Sequence, residues 1–194
     1  MPNPPTTAPF AAGTASLSGK GSGGREGRVG NSGVEAFDPQ RLREARTKAG
    51  LTQRDVAVRL LEAGLAAKGS SPAAVTGEAW AKAVETERNR VISYEQGTHT
   101  PRAVLLRRLA EAVGVDAFAL FKPDTPRTLV TLRARLGLNQ ADVAEKLSFG
   151  RAYYSRVEQG IAAITDEADQ QALAEVLQIE LDEARALTAA AAPA

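Results

Sequence analysis

An internal repeat constrains this chain more than any other feature. Leu42, Arg46, Gly50, Leu51, Gln53, Asp55, Val56, Ala57 and Leu60 return as Leu129, Arg133, Gly137, Leu138, Gln140, Asp142, Val143, Ala144 and Leu147, all nine at an offset of 87. Farther on, Glu95-Gln96-Gly97 returns as Glu158-Gln159-Gly160 at an offset of 63. The first copy therefore holds 24 additional residues before this triplet, an insert expected at about residues 62–86. Leu109-Ala110-Glu111-Ala112-Val113 then pairs with Leu173-Ala174-Glu175-Val176-Leu177 after a one-residue slip. Self-similarity of this kind sets the architecture before any single element is assigned.

The repeated unit reads as helical. Asp38 caps a first helix with Pro39 at its first position, Leu42, Ala45 and Ala49 recur every three or four residues, and Gly50 ends it. Thr52 caps a second helix, Asp55 supplies an acidic capping box, and Val56, Ala57, Leu60 and Leu61 share one face. Strand patterns are absent, so the expected fold is all-α. The insert reads as an extension of the second helix through Ala67, a loop over Lys68–Pro72, and a helix from about Thr76 that runs into Arg88. Trp80 and Val84, four apart, read as packing residues of that helix.

Domain limits follow. Residues 1–36 are Gly, Ser, Thr, Pro and Ala with few large apolar side chains, too few to offset an ordering cost of about 1–2 kcal/mol per residue, and read as a disordered tail. Lys20, Arg25 and Arg28 within it read chiefly as solvated charges, with a basic arm for a DNA groove as the functional alternative. The first unit spans 37–122, a linker with two prolines spans 123–127, and the second unit spans 128–194 with an acidic, alanine-rich end.

Composition narrows the chemistry. With no Cys and one His, the chain builds no disulfide, thiolate zinc site, Cys nucleophile or multi-His metal centre. No set of nucleophile, base and oxyanion donors converges, so no enzyme, metal or cofactor is expected. No targeting segment and no membrane span is visible, which points to the cytoplasm. The overall charge of +1 conceals a partition: residues 37–122 carry 14 basic and 10 acidic side chains, whereas beyond Gln159 Arg185 alone faces seven carboxylates.

The ordered set of motifs resembles the lambda-repressor-like, Cro-type helix-turn-helix family. The first copy offers Leu51-Thr52-Gln53 with Val56-Ala57 and Leu60, then Val91-Ile92-Ser93-Tyr94-Glu95-Gln96-Gly97, Thr100-Pro101, and Leu106 through Val115. The second offers Leu138-Asn139-Gln140-Ala141-Asp142-Val143-Ala144, Val157-Glu158-Gln159-Gly160 and Leu173-Ala174. The resemblance covers Asp38–Phe121 and Thr128–Leu187. It departs from the family pattern at Ser148, in place of the turn glycine, and at Ile161-Ala162-Ala163-Ile164, in place of a polar loop with proline.

The resemblance implies binding of double-stranded DNA, with the second helix of each motif in the major groove. Counting back from Glu95 places Arg88, Asn89 and Arg90 in the first turn of that helix and Ser93 one turn later. Arg grips guanine O6 and N7, and Asn pairs with adenine N6 and N7. The corresponding set in the second copy is Arg151, Ala152, Tyr153 and Arg156. The resemblance assigns Gln53 and Gln140 to phosphates, and Thr98, Thr100 and Arg102 should lie along the backbone beside His99. It also pairs Arg46 with Glu95 and Arg133 with Glu158 as structural ion pairs.

Glu78, Glu85 and Glu87 would stand near phosphates if the insert helix ran straight into Arg88. A bend before Arg88, or a displacement of the insert, would relieve this.

Since phosphate neutralisation dominates DNA affinity, the expected activity is a sequence-specific transcriptional regulator gripping DNA mainly through the first copy. The second copy, less basic and with an apolar loop, is expected to favour a homodimer or protein partner. The competing view is a tandem clamp in which both copies read one duplex. The alternative of another class is an antitoxin-like or adaptor regulator with one copy on DNA and the other on a protein.

Overall fold

The computed structural model describes residues 33–189 apart from 72, 74 and 76. The cations Lys20, Arg25 and Arg28, and most of the tail expectation, lie outside the described residues. The end of that segment corrects the boundary at residue 36. Val34 donates its N–H to the Pro101 carbonyl at 2.8 Å, the Ala36 carbonyl accepts from Lys122 at 2.7 Å, and both Val34 and Ala36 pack on the first core.

The described residues form nine α-helices and one 3₁₀ turn, with no strand and a single isolated bridge between Phe37 and Phe121. The first unit contains α1 (Pro39–Lys48), α2 (Gln53–Ala66), α3 (Gly77–Glu95), α4 (Ala103–Val113) and the 3₁₀ turn Ala117–Leu120. The second contains α5 (Leu129–Arg135), α6 (Gln140–Lys146), α7 (Arg151–Glu158), α8 (Glu167–Leu177) and α9 (Leu181–Ala189).

Local chemistry explains the starts. Asp38 accepts from the Gln40 N–H at 2.9 Å with Pro39 at the first helical position. Thr52 and Asp55 close a reciprocal capping box at α2, and Asn139 and Asp142 repeat it at α6. Hydrogen bonds from Thr52 hold the Asp55 carboxyl below its ordinary range. Between α6 and α7 the chain turns at Ser148, whose φ of 56° lies in the left-handed region that favours glycine. A side chain at that φ carries local backbone strain.

Each unit closes over its own core. Phe37, Leu42, Val56, Leu60, Val91, Tyr94, Leu106, Leu109, Leu120 and Phe121 fill the first. Leu129, Leu132, Val143, Tyr154, Val157, Ile164, Leu173 and Leu177 fill the second. The aromatic residue has moved one turn between copies: Val91 and Tyr94 in α3 correspond to Tyr154 and Val157 in α7. The apolar loop of the second unit turns inward at Ile164, which is 3% exposed, while Ile161 stays outside at 54%. That loop is therefore partly core, with Ile161 left at its surface.

The relocated tyrosine is costly. Tyr154 is fully buried, its hydroxyl makes no hydrogen bond of ordinary geometry, and burial together with the nearby Glu158 carboxylate pushes its pKa up. A buried polar group without a partner loses its hydration for nothing in return. Tyr154→Phe is expected to stabilise the fold by about 1 kcal/mol, read as a higher midpoint in chemical denaturation at unchanged slope. A lower midpoint would show that the hydroxyl is satisfied in solution.

The two units are packed against one another. The Arg107 Nη1 donates to the Leu136 carbonyl at 2.9 Å, Arg135 pairs with Asp116 at 3.1 Å, and Ala134 of α5 belongs to the first core. Gly137 permits this approach, since a Cβ at that position would stand 3.0 Å from Arg107 Cδ and the residue has a φ of 71°. Phe118 packs against both cores, lies edge-on to Phe121 at 5.0 Å, and has the Arg127 and Arg135 guanidinium carbons at 5.4 and 5.5 Å from its ring centre.

Candidate nucleic-acid interface

The same four-residue network braces α3 and α7. Arg46 Nε donates to Glu95 Oε1 at 2.6 Å and its Nη2 to Oε2 at 3.1 Å, while Nη1 reaches the Leu51 carbonyl at 2.8 Å. In the second unit Arg133 makes the matching bonds to Glu158 at 2.7 and 3.3 Å and to the Leu138 carbonyl at 2.9 Å. Glu95 and Glu158 side chains are only 5% and 3% exposed. Donating these hydrogen bonds to the Glu95 carboxylate holds the Arg46 pKa above its usual value.

The two glutamines belong to this network. Gln53 and Gln140 donate their amides to the second glutamate oxygen at 2.8 and 2.7 Å. Gln140 is 8% exposed and Gln53 is half-buried, so most of each amide is engaged inside the fold. Residue type at the head of the helix was legible, but burial by the adjoining helix was not.

Above this shared base the units differ. Helix α2 has 14 residues against 7 in α6, and α3 has 19 against 8 in α7, so the insert lengthens both helices and their connection. Helix α3 is unbroken from Gly77 to Glu95, and Arg88 stands eleven residues in, roughly 16 Å from the start. This corrects the placement of Arg88, Asn89 and Arg90 in a first turn, and rules out a helix break before Arg88. Arg88 pairs with Glu85 at 2.7 Å, Arg90 with Glu87 at 2.9 Å, Ser93 bonds the Arg90 carbonyl, and Asn89 is exposed. Glu85 and Glu87 thus stand beside the arginines expected to read DNA. Trp80 is half-buried and Val84 fully buried on the α2-facing side, as packing residues.

Helix α7 begins at Arg151, and its cap residue Gly150 offers no side-chain oxygen to the first-turn N–H groups. Arg151, Ala152 and Arg156 are exposed, and neither arginine makes an ion pair among the described residues. Tyr153 is 38% exposed, edge-on to Phe149 at 5.1 Å, with its hydroxyl on the Ala163 carbonyl at 2.7 Å.

A cleft of about 1550 Å³ opens between the units. Its wall in the first unit carries Arg90, Ser93, His99, Thr100, Arg102 and Arg108; in the second it carries Arg133, Asn139, Gln140 and Arg151, with Lys122 at the junction. Glu35 is the one carboxylate on its surface among the described residues. Arg102, Arg108, Lys122 and Arg151 make no ion pair among the described residues, and the half-buried Arg108 lies with its Nη1 near Gly64 of α2. Thr98 lies outside the cleft, bonded to the Ser93 carbonyl at 3.0 Å. Arg108, Lys122 and Asn139 were missed from sequence; the Arg107-Arg108 pair, in a helix whose one other charge is Glu111, was the available signal. The acidic side chains of α8 and α9 do not line the cleft.

Among the described residues no helix is long and apolar enough to cross a membrane, and no cluster of His, Asp and Glu could hold a metal ion. The family model of the helix-turn-helix domain matches residues 127–187. No curated protein and no solved structure matches the chain. That match spans α5 through most of α9, all helical.

Proposed function

We propose that this chain is a sequence-specific DNA-binding transcriptional regulator of Cro type, acting in the cytoplasm, with the first unit a second copy of the same domain. The observation that carries this reading is the cleft, whose lining holds Arg102, Arg108, Lys122 and Arg151 from both units against a single carboxylate among the described residues. Such a surface matches a duplex, whose phosphates supply most of the affinity of a DNA-binding protein. Helix α7 is the base reader: it is short, starts at the surface, and presents Arg151 and Ala152 to the groove with Arg156 a turn later, Tyr153 standing beside them. The first unit grips the backbone through Thr100 and Arg102 and the open start of α4, where Arg102 provides no side-chain cap. Arg90 and Ser93 flank this grip, and Asn89, Arg88, Gln53 and Thr98 stand outside it.

Titration of the full chain against a randomised duplex pool at several salt concentrations tests the reading. Enrichment of a site, with affinity falling steeply as salt rises, is expected. Arg102→Ala with Arg108→Ala should flatten the salt dependence by about two phosphate contacts while leaving the preferred sequence unchanged. Binding to no duplex at any salt would remove the DNA reading.

A further inference from the structure

The packing of the two units fixes the symmetry of the DNA they can share. The first unit contributes α4 and its 3₁₀ turn to their contact, through Arg107 and Asp116; the second contributes α5, through Arg135 and the Leu136 carbonyl. Different surfaces of the repeated unit meet, so the contact is head-to-tail and no two-fold axis relates the copies. The cleft shows the same polarity. Its first wall is the end of one DNA-facing surface, the segment after α3 with Thr100 and Arg102; its second wall is the beginning of the next, the starts of α6 and α7 with Asn139 and Arg151.

Pairs of helix-turn-helix units related by a two-fold axis read inverted half-sites. We infer that this chain, as a single copy, recognises an asymmetric duplex: one base-read segment under α7, continued on one side by backbone contacts to the first unit. The inference rests on the DNA reading above. The unequal hairpins reinforce it, because α3, with its paired arginines, cannot repeat end-on what α7 presents at its tip.

The test is selection from a random duplex pool with the full chain, followed by the same selection with Arg151→Ala and sedimentation of the complex on the enriched duplex. Arg151 is exposed and outside both cores, so the variant folds. The expected motif has no internal dyad and one chain sits on each duplex. Arg151→Ala lowers affinity about tenfold or more and relaxes a single base position. A palindromic motif carrying two chains, with Arg151→Ala relaxing two mirrored positions, would overturn the inference and leave the DNA reading standing. Failure to enrich any duplex would instead strike the DNA reading itself, and the inference with it.

Discussion

Arg133→Ala is expected to destabilise the second unit by about 3–5 kcal/mol, because it strands Glu158 as an unpaired charge in a site that water barely enters. The glutamate side chain is 3% exposed, and its remaining partner is the uncharged Gln140 amide at 2.7 Å. Arg46→Ala should act alike on the first unit, where Glu95 is 5% exposed and Gln53 remains. Denaturant titrations of the two variants and of Arg133→Leu with Glu158→Leu check this. The double substitution removes both charges and should recover most of the loss. A single variant as stable as the parent would place the pair in solvent.

Phe118→Ala is expected to cost about 2–3 kcal/mol, below the range for a fully buried phenylalanine because the ring is only half-buried. Its effect should be on the coupling between units more than on either core. The ring touches both cores and two guanidinium groups, so its removal empties the junction that sets the cleft walls. The single Trp, Trp80, reports the first unit, while far-ultraviolet dichroism reports every helix. Coincident transitions in the parent and separated transitions in the variant are the expected result. Coincidence in both would mean that the units are held together elsewhere.

What was legible in the sequence was local or repeated. The caps at Asp38, Thr52 and Asn139 and the helical class rest on contacts a few residues apart. The Arg46–Glu95 and Arg133–Glu158 pairs were readable through the resemblance because the same four residues recur in order. The cleft was not readable, since it depends on how α4 meets α5, a contact between Arg107 and a carbonyl 29 residues on. The continuity of α3 was undecided for a different reason: the run from Gly77 to Glu95 contains no breaker, but charge repulsion from DNA argued for a bend that intramolecular pairing of Glu85 and Glu87 makes unnecessary. The emphasis on the first copy came from counting charges without their partners.

The unequal hairpins have a consequence for how such a chain can change length. Helix α2 exceeds α6 by seven residues and α3 exceeds α7 by eleven, and both increments are close to whole turns, one falling about 20° short and the other about 20° beyond. Lengthening in these steps keeps rotational phase, so buried Val84 and half-buried Leu61 and Leu65 continue the apolar stripes begun by Val91 and Leu60. The hairpin therefore behaves as a vernier: increments near whole turns, such as four, seven, eleven or eighteen residues, preserve its seam, and increments near half-turns swing one stripe into water. Because Arg46, Gln53 and Glu95 clamp the base, such a change alters reach without disturbing what lies beneath.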